Sequence, residues 1–168
     1  MPRLPKPGDV LYIGEYEQLW AYGHYLNKTG FGPLLQIYLA PCSSTVEEVL
    51  QGKRAFPPVY VGVNPPVREG GWKIIGNVIP PCIEPQFFLH SNALDREWRC
   101  SWYLLENHNR TFKFGETVPE EYQDLEVESG WSASAIEDRI ATGINTFSYH
   151  AAVQRPKEFL EGKRPRMF

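Results

Sequence analysis

A chain of 168 residues with 42% hydrophobic content can bury one substantial core, and the reading is a single domain over 1–168 with its core in 6–142. A formal charge of −3 and a pI near 5.8 exclude the strongly basic surface on which dedicated nucleic-acid binders depend. Aromatic residues at 14%, with 15 Pro and 14 Gly, favour many short strands and turns.

Pro7-Gly8 predicts a turn, and a hairpin follows it: Val10 to Ile13 as one arm, polar "EYEQ" as the reversal, Leu19 to Leu26 as the return. "LLQIYLA" is a third strand, with Pro33 placed ahead of it where no ladder hydrogen bond is lost. "SSTVEEVLQGK" changes period. Ser44 and Glu47 have capping-box spacing, Val46, Val49 and Leu50 share a face, and Gly52 can end the helix. "PPVYVGVNPP" reads as a strand fenced by prolines, and "GWKIIGNVI" as the strongest strand after it. "DREWRCSWYLLE" and "RTFKFGE" form another expected pair, joined at "NHN".

Residues 116–138 then hold eight acids and no Lys or Arg. A second helix is predicted inside the end of this stretch: Ser134 and Glu137 repeat the capping-box spacing, and Ile136, Ile140 and Ile144 recur every fourth residue. The basic, proline-containing tail over 155–168 is expected to be loosely ordered. The fold class is therefore α+β and mostly β: a small twisted sheet, or a partly open SH3-like barrel, with two short helices.

Trp72, Ile74 and Ile75 are the expected structural core of the "WKIIG" strand, with Val78 beside them. A buried indole is the ordinary fate of a tryptophan on an apolar run, and it outweighs an exposed stacking platform. Cys82, His90, Cys100 and His108 alternate along the chain, yet their gaps do not match the close ligand pairs of zinc sites, so no metal is expected. No P-loop, GxGxxG or GxSxG occurs, so no cofactor and no catalytic residue is predicted. Cys42, Cys82 and Cys100 form no CxxC pair and fit reduced thiols. With no apolar leader in "MPRLPKPGDV" and no run near the roughly 20 residues a bilayer requires, a cytoplasmic protein without a membrane partner is expected.

The acidic stretch has two readings of equal weight. Carboxylates at a helix entry are favoured by the helix dipole. Carboxylates interleaved with Tyr122 and Trp131 also resemble an aromatic-anchored interface that steers a basic partner.

"GDVLYI", "LWAYGHYL", "GGWKIIGN" and "DLEVESGWSASAIEDRI" together resemble the immunity protein 26 family of bacterial polymorphic-toxin systems, over roughly residues 6–142. "PPCIEPQFFLHSNALDREWRC" and the basic tail have no counterpart in that resemblance. It implies a non-catalytic protein that binds and neutralises a cognate toxin domain. For a toxin with a basic groove, the expected partner-binding residues are Glu120, Glu121, Tyr122, Asp124, Glu126 and Glu128. Two alternatives stand beside it: a small β-barrel ligand- or nucleic-acid-binding module using the "LWAYGHY" aromatics, and a hydrolase pairing Cys42 or Cys82 with a histidine.

Overall fold

The computed structural model describes residues 3–42, 44–80, 85–91, 101–107 and 109–160, with backbone only over 155–160. In chain order the elements are β1 (Asp9–Tyr16), β2 (Leu19–Lys28), β3 (Pro33–Ala40), α1 (Val46–Leu50), β4 (Lys53–Arg54), β5 (Val59–Val61), α2 (Asn64–Arg68) and β6 (Lys73–Asn77). There follow β7 (Phe87–Ser91), β8 (Trp102–Glu106), β9 (Asn109–Gly115), a 3-10 turn at Glu120–Tyr122, β10 (Gly130–Trp131), α3 (Ala133–Thr142) and α4 (Tyr149–Leu160). The fold is α+β and mostly β, and its sheets are not closed. The chain groups into two compact units, Met1–Glu84 with Ser129–Ile144, and Pro85–Glu128 with Asn145–Phe168.

The first unit is built on one sheet in the order β10-β5-β3-β2-β1-β6, with β4 paired to β3. All pairings are antiparallel except β10 on β5. The expected hairpin forms with a tighter reversal, because both strands extend until only Glu17 and Gln18 remain between them and Glu17 takes the left-handed φ of 55°. Val10, Tyr22, Tyr38, Ala40 and Val49 make one buried cluster under α1. Val46 of α1 lies so close to β6 that a Cβ at Gly76 would sit 2.7 Å from Val46 Cγ2, so glycine is required there.

Trp72, just ahead of β6, is 1% exposed, as expected. Burying roughly 200 Å² of indole is worth about 5 kcal/mol at 25 cal/mol per Å². Ile75 departs from expectation and is 42% exposed, while Ile74 is half-buried. The cause is strand alternation: Lys73, Ile75 and Asn77 share the exposed face of β6 and Ile74 and Gly76 the inner one, while a register shift against β1 (Val10 pairs Gly76, Leu11 pairs Ile74) leaves Ile75 without a partner there.

Both helix caps also shift. Thr45 and Glu48, not Ser44 and Glu47, close the capping box of α1. Ser132 caps α3 by accepting from Ala135 N at 3.1 Å. Gly143 ends α3 with φ of 72°, which leaves Ile144 beyond the helix and 62% exposed. Arg139 of α3 is buried between Phe56 and Trp131, with its guanidinium carbon 3.9 Å and 5.0 Å from the two ring centres.

In the second unit β7, β8 and β9 form an antiparallel meander, and Glu126 to Glu128 run parallel along β7. Leu89 N donates to Glu126 O at 2.8 Å, and Glu128 N donates to Leu89 O at 2.7 Å. Leu89, Trp102, Val118 and Tyr149 are the buried centre, packed by Phe114, Tyr122, Leu125, Val127, Ala152 and Val153. Two helices of the chain, α2 and α4, were not among the two expected. In α2 the prolines occupy the first helical turn, where their missing N–H costs nothing. The tail expected to be loose from 155 is helical to Leu160, and the rest of it lies outside the described residues.

Candidate functional site

The 3-10 turn follows Pro119 and displays Glu120, Glu121 and Asp124 as exposed carboxylates. Its inner side is fixed. Val118 N donates to Tyr149 Oη at 3.3 Å, Gln123 Nε2 donates to Val118 O at 2.8 Å, and Tyr122 N closes the turn on Pro119 O at 3.0 Å. Tyr122 is half-buried, its ring 5.0 Å from that of Phe114, so it holds the turn on the core rather than standing out as a free anchor.

Glu126 and Glu128 do not join that surface. Glu126 is 4% exposed and its Oε2 accepts from Asn145 Nδ2 at 3.1 Å. The Glu128 side chain is 6% exposed, and its Oε2 lies 3.1 Å from His90 Nδ1. Their place beside β7 decides this: buried carboxylates must be hydrogen-bonded, and the neighbouring segments supply the donors. Five acids and a tyrosine thus reduce to three presented acids, one packed tyrosine and two internal carboxylates.

The Glu128–His90 pair fixes the imidazole. With Nδ1 on the carboxylate, Nε2 turns to Arg110 Nη2 at 3.5 Å, and Arg110 lies over the Tyr103 ring at 4.5 Å with Lys113 at 5.8 Å. The sequence pattern weighed His90 only as a metal ligand; its pairing with Glu128 has no local signal because the two lie 38 residues apart. Of the four residues weighed for a metal, His90 alone is among the described residues, and there no group of three or more His, Cys, Asp or Glu is arranged to hold one.

The two alternative readings also meet the structure. Tyr22, His24 and Tyr25 are buried, and Trp20 packs edge-on to Tyr12 at 5.0 Å, so the "LWAYGHY" aromatics form core instead of a stacking surface. His24 Nε2 bonds Val78 O at 3.0 Å; burial holds its pKa below the ordinary value, and that bond only partly offsets it. Cys42 is exposed, in a cavity of about 540 Å³ lined by Pro41, Ser44, Glu48 and Lys53, with no histidine among its described lining residues. Cys82 lies outside the described residues.

A groove of about 620 Å³ is lined by Arg3, Val67, Gly70, Trp72 and the whole of β6. Trp72 also lines a second cavity with Pro65, Pro66, Ser132 and Glu137, and its Nε1 donates to Glu137 Oε1 at 2.7 Å. That bond takes the carboxylate expected to serve the helix cap. No helix among the described residues is long and apolar enough to cross a membrane. Compared with protein-family models, with curated proteins and with solved structures, the chain shows no match.

Proposed function

We propose that this chain is a non-catalytic immunity protein that binds a cognate protein toxin domain in the cytoplasm and occludes its functional groove. The observation that supports the reading is the acidic turn, where Glu120, Glu121 and Asp124 are exposed on a segment pinned from beneath by Tyr122, Gln123 and Tyr149. A rigid display of like charges loses little conformational entropy on binding, and complementary charge on a basic groove accelerates encounter and selects the partner. The resemblance to immunity protein 26 sequences points the same way. No bond is made or broken in this function; affinity and shape carry it.

The test starts from the neighbouring genes: a toxin domain encoded there is co-expressed with this chain and the affinity measured. Reversing Glu120, Glu121 and Asp124 to Lys should slow association and weaken binding roughly tenfold or more at low salt, with the difference shrinking as salt rises. Glu126→Gln and Glu128→Gln should lower stability and leave the association rate of the folded protein unchanged. A triple reversal that binds and protects as well as the parent would refute the proposal.

A further inference from the structure

The free edge of the first unit carries a second binding feature. Among the described residues β6 pairs with β1 on one side and with nothing on the other, so its outer backbone groups are available to an added strand. The groove along that edge has an apolar wall from Val67, Trp72 and Ile74, a volume in the range of ligand pockets, and Ile75 exposed on its rim. Lys73 is exposed at one end of β6 with no ion-pair partner among the described residues, whereas Arg3 is held by Asp9 at 2.6 Å. Sheet edges are commonly blunted by a lysine and a bulge, and β6 has both. The bulge lies on the β1 side of the strand, and Ile75 shares the exposed face with Lys73 and Asn77, so the side-chain pattern of an added strand meets an apolar residue flanked by polar ones.

We infer that the β6 edge is a strand-addition site for an extended segment of a protein partner, with apolar residues at alternate positions and a carboxylate facing Lys73. Main-chain hydrogen bonds to β6 supply affinity and the groove beside Trp72 and Val67 receives an apolar side chain, as in recognition by strand addition generally. A second copy of this chain is the less suitable occupant. Antiparallel pairing of two β6 edges about Ile75 would offer Lys73 an Asn77 rather than a carboxylate. This site lies in a different unit from the acidic turn and calls for a partner segment of opposite charge, so it stands or falls separately from the proposed function.

The probe is a fluorescein-labelled ten-residue peptide alternating valine and glutamate, titrated with the full chain and read by fluorescence anisotropy. Saturable binding is expected. It should weaken at least tenfold when alternate peptide nitrogens are methylated, and at least tenfold with Lys73→Glu. A peptide carrying lysine in place of glutamate should recover binding to Lys73→Glu. Both Lys73 and Ile75 are exposed, and circular dichroism of the Lys73→Glu and Ile75→Lys variants checks that they remain folded. Absence of saturable binding overturns the inference, as does binding indifferent to methylation and to Lys73→Glu. Sedimentation showing a dimer that Ile75→Lys abolishes would assign the edge to a second copy and overturn it equally.

Discussion

Trp72→Phe and Glu137→Ala, made singly and together, measure the bond that joins the start of β6 to α3. At 2.7 Å from Nε1 to a carboxylate oxygen, the contact lies at the short end of charge-assisted hydrogen bonds. Such bonds contribute about 1.5–3 kcal/mol, and since Glu137 is half-buried and keeps part of its hydration, we expect a coupling of about 1–2 kcal/mol. Trp72→Phe should cost more than the coupling, because it also removes buried ring atoms from a position that is 1% exposed. The two residues are 65 apart in sequence, so coupling between them cannot arise from local helix propensity. Urea unfolding followed by far-UV circular dichroism, with an unchanged m-value, gives the four free energies of the cycle. A coupling within about 0.3 kcal/mol of zero would refute the reasoning, which sets that bond well outside the error of additive sites. Ser134 supplies the control: Ser134→Ala should be nearly neutral, whereas Ser132→Ala should cost about 1 kcal/mol as the true cap.

Three further outcomes are expected. His24 is buried and its folded pKa lies below the ordinary value near 6.5, so its contribution to stability is present above that value and is lost as pH falls toward the folded pKa; His24→Gln should flatten chemical stability over that window. Burial alone would raise the Asp9 pKa, but hydrogen bonds from Arg3, Asn77 and the Lys6 N–H outweigh it and hold it below the ordinary value; the associated stability is full above about pH 4 and disappears as pH falls further, and Asp9→Asn should remove that acid-side slope. Gly76→Ala should destabilise by about 1–3 kcal/mol, since stiff, β-branched Val46 cannot easily yield the 2.7 Å approach, and adding Val46→Ala should recover part of the loss in thermal melts.

The sequence pattern made the N-terminal hairpin legible because Pro7-Gly8 and two apolar runs describe a turn and two pleated arms without reference to distant residues. Trp72 was legible as core for the same reason. Ile75 was not, because adjacent Ile74 and Ile75 must point to opposite faces of a strand, and which face is covered depends on how β6 sits against β1, more than sixty residues earlier in the chain. Neighbouring hydroxyls displaced both caps: "SST" and "SAS" each offer adjacent candidates, and backbone entry angle decides which oxygen reaches an amide. The prolines of α2 read as fences, since proline at a helix start and proline beside a strand look alike in a string. The acidic stretch was legible as charge but not as surface. Composition gives the number of carboxylates; only the strand-like pairing of residues 126–128 with β7 shows that Glu126 faces Asn145 and Glu128 faces His90 and not solvent.

The path of the chain has a consequence for how the protein is made. The first unit is interrupted: residues 85–128 belong to the second, and only afterwards do β10 and α3 return with the partner for β5 and the carboxylate for Trp72. On the ribosome, at about 5–20 residues per second, the sheet of the first unit therefore waits several seconds for its closing pieces. A fragment ending at residue 84 would lack them for good and leave an indole nitrogen and a strand edge unsatisfied.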